Sequence, residues 1–238
     1  HSLFDADDRF WEDPALTSRN RLRSRPPVAS HTGDAQAREA PGLWQAVDHS
    51  PWANSLDGIW EFLHVAAPEA VPRSAVHPDG GSGDDIVVPG AWTLQGWDWP
   101  VYTNVQMPFA GEAPTVPADN PTGVYRRAIE VPDAWADRQV ILTLGGTESL
   151  AVVYVDGRFV GLTTDSRLPS EFDLTPFVRP GAAHLLAVVV IRWSAATWLE
   201  DQDQWWHGGI QGSVALWSRP DAHLADVGAQ FEDILEIG

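Results

Sequence analysis

The densest group of chemically capable side chains lies at residues 200–207, which read Glu-Asp-Gln-Asp-Gln-Trp-Trp-His. Three carboxylates within four residues are costly to bury unless a cation or ligand hydroxyl groups pair with them. One interpretation is a solvent-exposed acidic loop. Because aromatic residues flank the stretch, the other is a site where one Asp faces a hard cation or accepts hydrogen bonds from a sugar. Oxygen ligands suit Na⁺, Mg²⁺ or Ca²⁺, and the spacing of thiolates or paired His typical of zinc is missing.

A second candidate is Asn104, in the run Pro-Val-Tyr-Thr-Asn-Val at residues 100–105. A side-chain amide both donates and accepts hydrogen bonds, so it can bind two neighbouring sugar hydroxyl groups at once. An Asn in a loop is more often simply a turn former. Its position directly after the Trp-rich residues 91–99 keeps a role in sugar binding open.

The 13 Trp residues are unusual for a chain of 238 residues. Most of them would fill a β-sandwich core, yet an aromatic face also packs well against the apolar C–H face of a sugar. The candidates for such a surface form two groups: Trp92, Trp97 and Trp99, and Trp198, Trp205 and Trp206. Their grouping favours a surface related to sugar binding.

Catalytic machinery is not evident in the sequence. It contains no Gly-x-Ser-x-Gly elbow, no His-Glu-x-x-His and no glycine-rich phosphate loop. A retaining glycosidase needs two carboxyl groups roughly 5–5.5 Å apart on either side of the sugar. Asp201 and Asp203 could meet that distance, but two neighbours on one loop cannot flank a glycosidic bond. We therefore expect no catalytic residue in this chain.

Composition excludes several classes of partner. The formal net charge is −18, and all 15 basic residues are Arg, so neither nucleic acid nor an anionic membrane is an expected partner. The absence of Cys excludes disulfides and thiolate metal sites. No apolar run approaches the roughly 20 residues that span a bilayer. The acidic residues 1–5 lack a signal-peptide pattern, which predicts a cytoplasmic protein.

Short runs of β-branched and aromatic residues, separated by turn residues, dominate after Trp52. The pattern predicts an all-β fold, an antiparallel β-sandwich of jelly-roll type. Asp156-Gly157 predicts a type I′ hairpin. Strands are expected in eight runs: residues 59–63, 85–89, 123–131, 139–144, 151–155, 158–161, 185–193 and 213–217.

The chain divides into three parts by composition. Residues 1–50 are rich in Arg, Pro, Asp and Ala and predict an extended arm, with a Pro-Pro stop at 26–27 and at most short helical pieces around 34–39. Residues 51–220 form the predicted sandwich. Residues 221–238 predict the truncated start of a following domain, with a strand at 222–227.

Eight segments appear in the order found in large bacterial β-galactosidases of glycoside hydrolase family 2, the lactose-operon type, and the chain resembles their N-terminal sugar-binding domain. The resemblance covers residues 19–220. Its segments are Asn20-Arg21-Leu22 with Pro26-Pro27, Ser55-Leu56-Asp57-Gly58-Ile59-Trp60, Val88-Pro89-Gly90-Ala91-Trp92, Tyr102-Thr103-Asn104-Val105, Asn120-Pro121-Thr122-Gly123, Asp165-Ser166-Arg167-Leu168, Arg192-Trp193-Ser194 and Glu200-Asp201-Gln202-Asp203.

The resemblance implies a non-catalytic, galactose-binding-domain-like jelly roll that lends loops to the active site of a separate (β/α)₈ barrel. It implies that Asn104 approaches the galactose of a β-galactoside substrate, and that Asp203 contacts galactose and helps to hold a Na⁺ ion. Mg²⁺ would bind elsewhere in the parent enzyme. The expected partners are the following immunoglobulin-like domain, where residues 221–238 would begin, the barrel, and further copies of the parent in a homo-oligomer.

Two positions depart from the family's pattern, because Trp206 and Gly212 stand where Arg is usual. Domain contacts and fine substrate preference are therefore open. The alternatives are a domain of another family 2 glycosidase, a β-mannosidase or β-glucuronidase, and a free-standing carbohydrate-binding module. An acidic sugar would favour a cationic partner, and neither candidate loop contains an Arg.

Overall fold

The computed structural model describes residues 1–25, 28–39, 43–81 and 83–227. The predicted Pro-Pro stop and most of the predicted start of a second domain, residues 228–238, lie outside them. The described residues form fifteen strands: β1 (Ser18–Arg19), β2 (Ala53–Ser55), β3 (Gly58–Val65), β4 (Asp84–Val88), β5 (Val101–Thr103), β6 (Thr122–Glu130), β7 (Gln139–Leu144), β8 (Thr147–Glu148), β9 (Leu150–Val155), β10 (Arg158–Thr163), β11 (Ser170–Asp173), β12 (Ala183–Ile191), β13 (Gln204–Trp206), β14 (Gly209–Ile210) and β15 (Val214–Arg219).

Helices are few and short in the described residues. Two are α-helices, α1 (Asp34–Glu39) and α2 (Leu43–Val47), and the first lies where a short helical piece was predicted. Six 3₁₀ turns complete the set: Phe10–Glu12, Pro68–Ala70, Arg73–Val76, Trp92–Leu94, Asp133–Trp135 and Ala195–Trp198. None of these helices is long and apolar enough to cross a membrane.

Two antiparallel sheets form a sandwich, which confirms the predicted all-β class. The larger sheet has the order β1-β10-β9-β12-β6-β3-β4, and the smaller one has the order β11-β7-β15-β2. Two further ladders, β13-β5 and β14-β8, lie outside these sheets. The Asp156-Gly157 hairpin joins β9 to β10 with φ values of 50° and 77°, as a type I′ turn requires.

Alternation along the central strands builds two hydrophobic layers. In β9, Val153 and Val155 face the smaller sheet and pack in one core cluster with Leu142 and Leu216. Tyr154, between them, and Val152, before them, face outward into a second cluster. This explains why every residue of β9 is buried, since both faces of the strand are covered.

The predicted arm supplies that outer cover. Phe4 and Trp11 lie in the second cluster, against the outer face of the larger sheet. Further along, Ala46 and Val47 cover the outer face of the smaller sheet. Arg25 ties the arm to the sandwich through an ion pair of 3.1 Å with Glu171, and Arg219 pairs with the same carboxylate.

The strand predicted for residues 222–227 is wrong, because those residues form no regular structure. Leu224 and Val227 are 78% and 68% exposed. A strand requires a partner for its backbone groups, and none of the described strands pairs with this segment. The domain boundaries drawn at residues 50 and 220 stay predictions.

Candidate functional site

The two loops singled out in the sequence meet in the β5–β13 ladder. Gln204 pairs with Thr103, Trp205 with Tyr102 and Trp206 with Val101. The antiparallel register therefore brings the residue after β5 and the residue before β13 to the same end of the ladder. These residues are Asn104 and Asp203, the two predicted site residues.

An aromatic pair lies beside that end. The rings of Tyr102 and Trp205 are 5.3 Å apart between centroids and tilted by 43°. Tyr102 is 51% exposed and Trp205 is 55% exposed. Two exposed aromatic rings on one face of a ladder can pack against the apolar face of a sugar.

Tyr102 also fixes the Asp203 side chain. Its hydroxyl donates a hydrogen bond of 2.6 Å to Asp203 Oδ1. This bond, together with the negative charge of the carboxylate, raises the pKa of the Tyr102 hydroxyl. Asp203 Oδ2 accepts no hydrogen bond from the described residues, so it is free to accept one from a sugar or to bind a cation.

The three carboxylates of the acidic run have different surroundings. Glu200 accepts a hydrogen bond of 2.7 Å from the Ser166 hydroxyl, and burial raises the pKa of Glu200. Asp201 is half-buried, whereas Asp203 is exposed. Of the three, Asp203 is the one that points a positioned and accessible carboxylate oxygen toward solvent.

Asn104 is exposed, and its side chain makes no hydrogen bond with the described residues. The next residue, Val105, has φ of 51° and is 83% exposed. A β-branched residue seldom adopts this left-handed conformation, which costs on the order of 1–3 kcal/mol. Strain of this kind concentrates at functional sites.

A buried arginine, Arg192, holds the two loops together. Its guanidinium donates hydrogen bonds of 3.0 Å to the carbonyl oxygens of Trp99 and Trp206, and it pairs with the Asp98 carboxylate. It also stacks on the Trp193 ring at 4.7 Å. One side chain therefore sets the position of the 98–99 loop and of β13. Sequence analysis named Arg192 within a motif but gave it no role.

Glu148 and Arg167 form a second support behind β13. Arg167 donates a hydrogen bond of 2.7 Å to Gln204 Oε1 and lies 3.5 Å from Glu148 Oε2. Glu148 is 2% exposed and also accepts a hydrogen bond from the Gln211 side chain. Burial raises the pKa of Glu148. Neither residue was identified as part of the site from sequence, because their partners lie far away along the chain.

The Trp candidates separate into core and surface. Trp92 and Trp206 are buried, Trp97 and Trp198 are partly buried, and Trp99 and Trp205 are exposed, Trp99 by 83%. Trp206 donates a hydrogen bond of 2.6 Å to the Thr103 hydroxyl and so links β13 to β5. Only the exposed residues of each group can meet a ligand.

The departure at Gly212 has a structural reason. A Cβ at this position would lie 2.3 Å from the carbonyl carbon of Gly145. Gly145, Gly146 and Gly212 therefore form a close backbone contact that excludes any side chain at position 212.

The described residues do not provide a complete set of metal ligands. In the described part of the chain, no group of three or more His, Cys, Asp and Glu is arranged to hold a metal ion. Asp203 offers one hard oxygen atom, which suits Na⁺ as one ligand of several.

Comparisons with known proteins identify the family to which the chain belongs. Residues 53–220 match the model for "Glycosyl hydrolases family 2, sugar binding domain". Among solved structures, β-glucuronidase 2 of Bacteroides uniformis matches with 24% identity and a TM-score of 0.54, over 71% of this chain and 18% of that one. A family 2 member from Bacteroides cellulosilyticus has 22% identity and a TM-score of 0.52, over 71% and 21%.

A third structure, the Bifidobacterium dentium β-glucuronidase complexed with coumarin-3-O-glucuronide, has 20% identity and a TM-score of 0.50, over 71% of this chain and 30% of that chain. This chain thus spans less than a third of the length of these three proteins. At such identities the likeness shows the fold alone. The family model covers most of the chain, and this chain therefore belongs to glycosyl hydrolase family 2, whose sugar-binding domain it contains.

Proposed function

We propose that this chain is the non-catalytic sugar-binding part of a retaining β-galactosidase, and that Asn104 and Asp203 bind the galactose of its substrate. The observation that carries the proposal is the β5–β13 ladder. It brings both residues to one end, beside the exposed Tyr102–Trp205 pair. The catalytic carboxylates would lie in a separate barrel domain of the parent enzyme.

The charge at this end of the ladder favours a neutral sugar. Asp203 is an exposed carboxylate, and the two arginines that support the site loops are occupied: Arg192 by Asp98 and two carbonyl groups, Arg167 by Glu148 and Gln204. A glucuronate carboxylate would meet a negative charge at Asp203 with no free guanidinium to pair with it. A galactose hydroxyl can instead donate to Asp203 Oδ2.

Na⁺ belongs to the same proposal. Asp203 would supply one oxygen ligand, and the barrel would supply the others. A cation bound there would attract the lone pairs of a sugar hydroxyl oxygen and so strengthen sugar binding. Mg²⁺ is expected elsewhere in the parent enzyme.

A second candidate is a β-glucuronidase. It is favoured by the names of the fold neighbours, since those from Bacteroides uniformis and Bifidobacterium dentium are both β-glucuronidases. Arg167 is the residue that would have to serve this substrate, because its side chain is 47% exposed. It would need to leave Glu148 and Gln204 to reach the acidic sugar.

Kinetics of the full-length parent enzyme separate the two candidates. We expect 4-nitrophenyl β-D-galactoside to be hydrolysed with a kcat/KM at least 100-fold above that of the matching β-D-glucuronide. The reverse ratio would refute the β-galactosidase assignment and support the β-glucuronidase. The 238-residue chain alone should release no nitrophenol from either compound, and release above a contaminant control would refute the non-catalytic assignment.

A further inference from the structure

A cleft, here called the outer cleft, lies between residues 4–19 of the arm and strands β9 and β10 of the larger sheet. It has a volume of about 410 Å³. Phe4 and Phe10 line it from the arm, and Tyr154, Phe159 and Leu162 line it from the sheet. This outer cleft shares no residue with the end of the β5–β13 ladder. Its volume lies within the range of about 300–1,000 Å³ typical of small-molecule sites.

Tyr154 brings a polar group to the wall of the outer cleft. The residue is 7% exposed, and its hydroxyl makes no hydrogen bond with the described residues. Burial raises the pKa of Tyr154 to about 12, so the hydroxyl keeps its proton at neutral pH and can donate it. Because Tyr154 lines the cleft, a ligand there can accept a hydrogen bond from its hydroxyl.

The walls of the outer cleft offer aromatic surface. Phe159 is 36% exposed and meets the Tyr154 ring at 6.0 Å in an edge-to-face arrangement. Phe10 meets Phe4 at 5.3 Å in the same manner. Each ring is thus held by a neighbour at its edge. Rings fixed in this way can pack against the C–H face of a ligand with little loss of side-chain entropy.

The charges around the outer cleft balance. Asp8 and Asp13 line it together with Arg9 and Arg19, two negative and two positive groups. Arg9 is already engaged, at 3.2 Å from Glu12 and 3.8 Å from Glu69. Asp8 makes no side-chain hydrogen bond with the described residues. A charged ligand would meet no net opposite charge here. A neutral ligand rich in hydroxyl groups would meet both hydrogen-bond donors and acceptors.

We infer that the outer cleft is a second sugar site, which binds a neutral monosaccharide unit through Phe10, Phe159, the Tyr154 hydroxyl and the rim carboxylates. This site goes beyond the proposed function, because no residue of it contributes to the end of the β5–β13 ladder. A site of this size and polarity is expected to bind in the millimolar range.

Saturation-transfer-difference NMR with methyl β-D-galactopyranoside tests the inference on the 238-residue chain. The titration is run on the Asp203→Asn background, which removes the carboxylate of the first site. We expect signal transfer to persist there. Phe159→Ala on that background should weaken binding at least tenfold, and Tyr154→Phe, which removes only the hydroxyl, about two- to tenfold. Circular dichroism of each variant before titration checks that the fold is kept.

Three outcomes would overturn the outer cleft as a site: no signal transfer on the Asp203→Asn background, unchanged binding in both Phe159→Ala and Tyr154→Phe, or tighter binding of methyl β-D-glucuronide than of the galactoside. Loss of signal transfer on the Asp203→Asn background would leave the proposed function intact if the wild-type chain still bound the galactoside. Failure of the proposed function appears separately, in the kinetics of the full-length enzyme.

Discussion

At the scale of single residues, Tyr102 and Asp203 act as a unit. The hydroxyl of Tyr102 orients the carboxylate by a hydrogen bond of 2.6 Å and leaves Oδ2 accessible. Glu200, three positions earlier, has a similar charge but is bound to Ser166. Accessibility and orientation, more than charge, distinguish the proposed site residue from its neighbours.

Asp203→Asn in the full-length enzyme should lower kcat/KM for a β-galactoside by about 10–150-fold. Asn can still accept the Tyr102 hydrogen bond, but the charge-assisted contact of about 1.5–3 kcal/mol to a cation or sugar hydroxyl is lost. Steady-state kinetics across a Na⁺ series measure the effect. Asp201→Asn is the matched control and should keep both its rate and its Na⁺ response. If the control loses them while Asp203→Asn behaves as wild type, the assignment is reversed.

The raised pKa of the Glu148 carboxyl group can be tested through the pH dependence of stability. Burial raises the pKa of Glu148, so the folded chain binds this proton more tightly than the unfolded chain does. This contribution to stability is fully present below the pKa of the unfolded chain and is lost as pH rises through the higher pKa of the folded chain. Each unit of elevation corresponds to about 1.4 kcal/mol.

Glu148→Gln stays neutral at every pH and should therefore gain stability relative to wild type as pH rises from 4 to 7. Urea unfolding at several pH values gives the difference in free energy of unfolding. The exposed Glu112→Gln serves as the control and should show a difference that changes little with pH. A flat difference for Glu148→Gln would contradict the raised pKa.

At the scale of elements, Arg192, directly after β12, links the two site loops. It binds carbonyl groups from the 98–99 loop and from β13, and it is 3% exposed. Both elements are short, and β13 pairs only with β5. Without the guanidinium, the buried carbonyl group of Trp206, the partly buried carbonyl group of Trp99 and the Asp98 carboxylate would lose this partner.

Arg192→Met should cost about 3–5 kcal/mol of folding free energy, the range found when one partner of a buried charge pair is removed. Arg167→Met is the comparison, because the Arg167 side chain is 47% exposed and its ion pair should contribute at most about 1 kcal/mol. Urea denaturation of both variants decides. Equal losses would show that Arg192 is no more important to the site loops than a surface pair.

At the scale of the whole molecule, the N-terminal segment is part of the fold. Trp11 is 1% exposed and packs in the cluster that covers the outer face of the larger sheet. Without this cover, the outward side chains Val152 and Val189 would face water. Residues 1–25 are therefore a structural layer, although their regular structure is limited to one 3₁₀ turn and β1.

Trp11→Ala should destabilise the chain by about 3–5 kcal/mol, as large-to-small changes in a core do. Trp99→Ala, at a position 83% exposed, should change stability by no more than about 0.5 kcal/mol. Thermal or urea unfolding of the two variants provides the comparison. A loss below 1 kcal/mol for Trp11→Ala would mean that the segment lies on the sheet without stabilising it.

Local pattern was enough to predict the long strands. The runs that became β6, β7 and β12 are rich in β-branched and apolar residues, and Asp156-Gly157 specifies a tight turn through the backbone conformations it permits. The shared segments with large β-galactosidases pointed to Asn104 and Asp203, and the physical chemistry of oxygen-rich, aromatic-flanked loops pointed to the same stretches. These signals are local, so a single sequence can carry them.

Only the tertiary structure decided which side chains meet. β5 and β13 are three residues long each, and Tyr102 lies 101 positions from Asp203. Strands of three residues are too short to show an alternating pattern in the sequence. Their pairing depends instead on the register of the larger sheet beneath them. The same holds for the Trp residues: Trp205 and Trp206 are adjacent in sequence, yet alternation along β13 exposes one and buries the other, and only the position of the strand on the core determines which.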